Sequence, residues 1–329
     1  MSVFPPETFH SIEKQGSLTY CKQIQENLEH SFHDMNFRDL DIFSETPPEI
    51  AANFQKNVKR KIIRKGISLM KIAAQMYSVR NTAQKGYRHA LETVAAIGFQ
   101  AVEPAEWCGY GEFNGNPREL KKCLDDLGLT ACSVHLSADA FLNPEKRAGM
   151  IDFYSVLGTE YIICPGDGRF TDPYINAKFA DDCNAAAAEL KKAGMYCGFH
   201  NHQLEFLIDP NTGKTFWETF ADRTSSDVVL EQDCGWSTLA CQDPADLIRK
   251  YPGRSGILHF KPAVRCSEES VKQSIIGKDS VDWKSIIKAA EQYGGTEFAV
   301  IEQEWFLPGK TDVESLAASF QGLMEILHS

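Results

Sequence analysis

YINAKFADDCNAAAAELKKAG (174–194) runs directly into MYCGFHNH (195–202), and the junction between them decides the reading of the whole chain. In the first part alanines and a leucine recur at helical spacing, and Gly194 stands where a helix closes on a left-handed residue. The second part is a short β-rich run whose C-terminal end carries two histidines and an asparagine. A helix feeding a strand that ends in chemistry-bearing side chains is one unit of an α/β fold. Working outward, similar runs occur at 72–79, 99–105, 130–136, 159–166, 226–233, 255–262 and 298–305, which makes eight strands with the first one. Helical patterns at 83–97, 117–127 and 282–293 lie between them, and Asn116 before Pro117 supplies a helix start. Eightfold alternation predicts a (β/α)₈ TIM barrel over residues 66–329 rather than a doubly wound sheet. No glycine-rich dinucleotide fingerprint follows the first strand, where SVRNTAQKG stands. Residues 1–65 have a different texture, with Pro5–Pro6, Pro47–Pro48 and a basic cluster at 56–65, and are expected to form an N-terminal extension of short helices.

The strand ends then carry the functional reading, because a barrel of this kind builds its active site at the C-terminal ends of its strands. Glu103 ends the second strand and His135 the third. His200, Asn201 and His202 end the fifth, with Glu205 just beyond. Glu231 and Asp233 end the sixth, His259 and Lys261 the seventh, and Glu302 and Glu304 the eighth. A lone histidine or glutamate at such a place is usually a hydrogen-bonded structural group. Six strands of eight ending this way is a different matter, since clustered charges repel one another and lose hydration on burial. A divalent cation compensates for both, and a mixed carboxylate and imidazole set suits Mn, Co, Fe or Zn better than Ca. Trp107, Trp236 and Trp305 follow strand ends, where aromatic faces can pack against sugar C–H surfaces.

The composition narrows the partners. The formal net charge is −11, which disfavours phosphate backbones and anionic membrane surfaces. No apolar run is long enough to span a bilayer and no secretory signal stands at the N-terminus. Ten cysteines are scattered without a CxxC pair, so a reduced, cytoplasmic setting is expected and cysteine-based zinc clusters are not.

QMYSVR (75–80), GFQAVEP (98–104), FHNHQLEF (199–206), LEQDCGW (230–236), DPADLIRKYPGRSGILHFKP (243–262) and VIEQEW (300–305) together resemble the sugar phosphate isomerase/epimerase family, the xylose isomerase-like barrels, over about residues 70–327. The resemblance implies one divalent metal ion, with Mn, Co, Zn, Fe and Mg as candidates, held by His200, Asp233, His259 and Glu302. It departs from the ketose epimerases on the fifth strand, where those enzymes place a glutamate that shares acid/base work with the eighth-strand glutamate. The implied activity is isomerisation or epimerisation of a sugar, keto-sugar or sugar phosphate through an enediolate. Glu302, His202 and Glu205 are the candidate bases, and Glu103, His135, Lys261, Trp107 and Trp236 the candidate substrate contacts. The histidine on the fifth strand keeps a lyase open, either a dehydratase or an enzyme cleaving 3-keto-glycosides. A metal-dependent nuclease is disfavoured by the acidic charge, and a sugar-binding barrel without catalysis by the intact ligand set. The expected partner is a small carbohydrate, with no nucleic acid or membrane, and a homo-oligomer is left open.

Overall fold

A computed structural model describes residues 70–265 and 274–329. The expected extension over residues 1–65 lies outside these residues. The strands are β1 (Lys71–Gln75), β2 (Ala101–Glu103), β3 (Thr130–Ala131), β4 (Ser133–His135), β5 (Tyr161–Cys164), β6 (Tyr196–His200), β7 (Val228–Asp233), β8 (Ile257–Phe260) and β9 (Phe298–Ile301). All pairings are parallel, in the order β3-β2-β1-β9-β8-β7-β6-β5-β4. The two ends of that order, β3 and β4, are halves of one extended segment interrupted at Cys132. Thr130 and Ala131 pair with β2, while Ser133–His135 pair with β5. The sheet therefore closes on itself through the third of eight barrel positions, and the expected TIM barrel is the observed fold.

The strands are shorter than the sequence suggests. The first ends at Gln75 because its side-chain Oε1 accepts the Tyr77 N–H at 3.0 Å and turns the chain into a 3-10 helix over Met76–Val79. Helix α1 (Tyr87–Ile97) follows β1, α2 (Pro117–Asp126) follows β2, and α3 (Pro144–Leu157) follows β4. The Asn116 side chain accepts from Glu119 N at the start of α2, as its position before proline predicts. Helix α4 (Asn176–Leu190) precedes β6, and after a 3-10 turn Gly194 closes it at φ 72°. α5 (Phe216–Arg223), α6 (Pro244–Lys250), α7 (Trp283–Ala289) and α8 (Asp312–Leu327) complete the alternation.

Alternation along the strands divides the apolar residues into two sets. Leu258, Phe260, Ala299 and Ile301 face outward into the large core under the helices. Ala73, Ala101, Ile163, Val229, Ile257 and Val300 fill the barrel's interior. That inner plug occupies the lower layers and leaves the upper ones to polar residues. Cys123, Cys132, Cys164, Cys183, Cys197 and Cys234 are buried free thiols. Cys241 is disulfide-bonded. Among the described residues no helix is long and apolar enough to cross a membrane.

Candidate metal centre and substrate cavity

Above the apolar plug, the inward-facing positions of six strands meet. Parallel register sets Asp233 beside His259, His200 beside Glu231, and Gln75 beside Glu103. All of these side chains are buried. His259 Nδ1 lies 2.9 Å from Glu302 Oε2 and 3.8 Å from Asp233 Oδ2, and His200 Nε2 lies 3.9 Å from the same Asp233 oxygen. One ligand atom from each of the four residues falls within 4.8 Å of the other three. Metal bonds of roughly 2.0–2.2 Å place neighbouring ligands of a tetrahedral site roughly 3.4 Å apart, and the separations of 2.9, 3.8 and 3.9 Å bracket that value.

Two further features fit a cation. Asp233 Oδ2 is buried and has no hydrogen-bond partner among the described residues, an arrangement that is costly for a carboxylate. The other oxygen of Asp233 accepts from Trp236 N at 2.7 Å, which orients the unpaired one into the site. The two imidazoles are also held from behind by carboxylates. His200 Nδ1 is 3.2 Å from Glu231 Oε2, and His259 Nε2 is 2.6 Å from Glu103 Oε1. Carboxylates placed this way set the tautomer and the ring angle of a ligating histidine.

A second group of His135, Glu231, His200 and His259 also falls within 4.8 Å. It lies behind the first, on the side of the two shared rings that faces the supporting carboxylates. His135 Nε2 is 2.7 Å from Glu231 Oε2, and the ring stacks on His259 at 5.0 Å between centroids.

The electrostatics follow from burial. Burial pushes Glu231 up to about 7, reinforced by the charge of Glu103. Burial likewise lifts Asp233 to about 7 against the pull of Lys261. For Glu103 burial works the same way, but His135 and His259 outweigh it and hold the carboxyl at about 2. His200 is pushed well down by burial and by its histidine neighbours, so it is the neutral imidazole that a metal requires. His202 is lowered to about 4 by burial and by the charge of Lys261.

A cavity of about 210 Å³ opens onto this group, lined by Gln75, Tyr77, Trp107, His135, His200, His202, Glu302 and Glu304, among others. Of the expected substrate contacts, His135 and Trp107 are on its wall, and their rings stack at 6.1 Å. Glu103 is not on the wall. Its carboxylate is turned to its neighbours instead, accepting from Gln75 Nε2 at 2.7 Å and from Ser133 Oγ. Lys261 is also off the wall. It is buried with its ammonium 3.3 Å from Glu302 Oε1, ion-paired to Glu304, and 4.7 and 5.2 Å from the ring centroids of Trp236 and Trp305. Trp236 thus covers Lys261 rather than the cavity. Glu205 turns into its own loop, where its carboxylate accepts the His202 N–H at 2.8 Å, so it positions that histidine from behind. Glu304, Gln75 and Tyr77 were not in the expected site. Gln75 and Glu304 were legible as inward positions at strand ends, but Tyr77 reaches the cavity from a 3-10 turn that strand periodicity does not describe.

The sequence profile of the xylose isomerase-like TIM barrel family matches residues 91–322. In sequence, no curated protein matches the chain. Among solved structures, a sugar phosphate isomerase/epimerase from Parabacteroides distasonis ATCC 8503 is similar at 25% identity and a TM-score of 0.64, over 77% of this chain and 95% of that one. A D-allulose 3-epimerase from Methylomonas sp. shares the fold at 15% identity and a TM-score of 0.56, over 78% and 98% of the two chains. The IolI protein, solved with a bound zinc atom, does so at 12% identity and a TM-score of 0.59, over 78% and 98%.

Proposed function

The chain belongs to the xylose isomerase-like TIM barrel family, and from that premise we propose that it is a divalent-metal-dependent enzyme that isomerises or epimerises a keto-sugar. The observation that carries the reading is the unpaired, buried Asp233 Oδ2, which faces His200 and His259 nitrogens at the base of a cavity also lined by Glu302 and His202. His200, Asp233, His259 and Glu302 would hold the ion. When bound, it supplies Lewis-acid polarisation of the substrate's carbonyl oxygen.

The protein's own residues do the rest. His202, on the cavity wall and held from behind by Glu205 through its backbone, takes the proton from the carbon next to the carbonyl. Glu302 lines the same cavity and stands as the second proton-transfer group, with Lys261 beside its Oε1. Tyr77 and Trp107 offer aromatic walls to the sugar's C–H face, and Gln75 and Glu304 offer hydrogen bonds to its hydroxyls. Return of the proton to the same carbon from the opposite face gives the epimer, and return to the neighbouring carbon gives the isomer.

A second reading is favoured by His200 itself. An imidazole in place of the fifth-strand carboxylate removes the symmetric two-carboxylate relay, and the same enediolate can instead expel a β-substituent, as a dehydratase or a 3-keto-glycoside-cleaving lyase does. Both readings share the first proton transfer. The deciding experiment is incubation of the Mn²⁺-loaded protein with a panel of keto-sugars in D₂O. Deuterium entering the carbon next to the carbonyl, lost in Glu302→Gln and reduced in His202→Gln with metal content retained in the latter, is the expected result. Full exchange in Glu302→Gln would overturn the assignment of that residue, and no exchange on any substrate of the panel would overturn the reaction class.

A further inference from the structure

The reaction cavity has a larger neighbour. A second cavity of about 560 Å³ lies between the loop after β2 and helix α3, lined among others by Glu106, Tyr110, Asn114, Ser137, Gly149 and Phe153. Residues close in sequence line the two cavities. Glu106 lines the larger one and Trp107 the smaller, and on the next strand Ser137 lines the larger and His135 the smaller. The outer cavity is built rather than accidental. Tyr110 Oη and Tyr154 Oη are 2.7 Å apart beneath it, and Phe153 packs on Tyr110 at 5.7 Å between centroids. The loop that carries Tyr110 is closed by Asn114 Oδ1, which accepts the Tyr110 N–H at 2.7 Å. Aromatic faces with a carboxylate, an amide and Lys146 at the margin make the mixed lining that recognises a ring bearing hydroxyls.

Size makes the two cavities complementary. Small-molecule sites commonly enclose roughly 300–1,000 Å³. The reaction cavity, at about 210 Å³, is smaller than that and holds one sugar-sized ring, whereas its neighbour falls inside the range. Trp107 is 56% exposed, an unusual state for so large an apolar side chain, and it lines the smaller cavity directly after Glu106 of the larger one. We propose that the outer cavity is a second-ring subsite, so that the substrate is a glycoside. Its keto-sugar ring lies over the metal centre, its other ring, an aromatic group or a second sugar, lies between the β2 loop and α3, and the glycosidic bond passes Trp107. The inference rests on the proposed function for the placement of the first ring only.

Gly149 makes the subsite testable. It lies in α3 on the cavity wall, and a Cβ added there meets nothing within 4 Å. A side chain can therefore start from Gly149 without a clash at its Cβ, Gly149→Phe places a large ring at the cavity wall, and replacing a helical glycine does not weaken the helix. The full-length, Mn²⁺-loaded protein is compared with this variant on two probes, 3-keto-glucose and its phenyl glycoside, by deuterium uptake from solvent. In the unmodified protein the glycoside is expected to have a kcat/KM at least about tenfold above the free keto-sugar, as remote binding provides. In Gly149→Phe the KM for the glycoside rises by about tenfold or more while both constants for the free sugar stay within about twofold. Equal constants for the two probes in the unmodified protein, or an unchanged glycoside KM in the variant, overturn the subsite. Calorimetric titration of the phenyl glycoside into both proteins separates this from the reaction itself. Binding that the variant loses supports the subsite even where no deuterium enters, and binding that the variant retains overturns it even where exchange proceeds.

Discussion

Asp233 is the residue on which the metal reading turns. One of its oxygens caps the helix over Cys234–Leu239 through Trp236 N, and the other is buried without a partner. Asp233→Asn keeps the cap acceptor and removes the charge, so it is expected to fold and to lose bound metal. Elemental analysis of protein purified without added metal, then reloaded with Mn²⁺, reads this directly, and a full equivalent of metal in the variant would contradict the assignment. Glu231 lines neither of the two cavities, yet its Oε2 stands 3.2 Å from His200 Nδ1. Glu231→Gln is expected to weaken metal affinity by about 10–100-fold, the usual effect of losing a carboxylate behind a ligating histidine. An unchanged affinity, measured by competition with a chromogenic chelator, would show that His200 is oriented by packing alone.

At the scale of elements, β6 and its approach to β7 decide where His200 goes. Gly198 shares His200's face of β6, and a Cβ on it would stand 2.3 Å from Val229 O and 2.8 Å from Val229 Cβ. Those atoms belong to a buried neighbouring strand and cannot rotate away. Gly198→Ala is expected to destabilise the protein by about 1–3 kcal/mol, as overpacking does, and to lower metal occupancy by shifting β6 against β7. Denaturant midpoints and metal analysis on the same sample test both consequences. A second element-level device ties the connection after β8 to α7. Asp279 accepts from Trp283 Nε1 at 3.0 Å and from Ala263 N at 3.3 Å, and burial pushes its carboxyl up from the ordinary aspartate range to about 6. A carboxyl whose folded pKa is raised contributes stability that is complete below its unfolded pKa and is lost as pH rises through the folded one. Between about pH 4 and pH 6 that contribution fades. Relative to Asp279→Asn, the unmodified protein is therefore expected to lose stability across this window, and unfolding midpoints at a series of pH values would show the gap. A pH-independent gap would place Asp279 outside the titrating set.

For the whole molecule, the barrel concentrates carboxylates and imidazoles in its upper layers, above an apolar plug. Such a layer is a stability cost that a cation bound there would offset. Removal of metal with a chelator is expected to lower the thermal midpoint, and Mn²⁺ or Zn²⁺ is expected to restore it. A ligand held at a hundredfold over its dissociation constant stabilises the native state by about 2.7 kcal/mol. Identical melting curves with and without chelator, on protein shown by analysis to differ in metal content, would mean that the ion is not bound at the barrel's interior. The formal charge of −11 is compatible with this arrangement, since the acidic interior layer accounts for several of the carboxylates.

By itself the sequence pointed to the barrel, because strand and helix periodicities differ, eight strand–helix units suit closure, and no glycine-rich fingerprint of a doubly wound sheet follows the first strand. It also determined which residues of one strand share a face, such as Glu231 with Asp233 and Glu302 with Glu304, whereas the set of Asp233, His259 and Glu302 came from the family resemblance. Depth was not legible. Strands of a barrel are tilted and staggered, so two residues at strand ends can stand a layer apart, and only the closed sheet shows that Glu103 lies off the cavity wall and orients His259. Partnership was not legible either. Lys261 reads as a cation free to meet substrate until the packing places it between Trp236 and Trp305 with Glu302 and Glu304 on its ammonium. Contacts of this kind join residues 25 to 44 positions apart, and no local pattern encodes them. Tertiary structure alone decided which imidazole nitrogen of His200 and His259 faces Asp233, because the opposite nitrogen is held by a carboxylate from another strand.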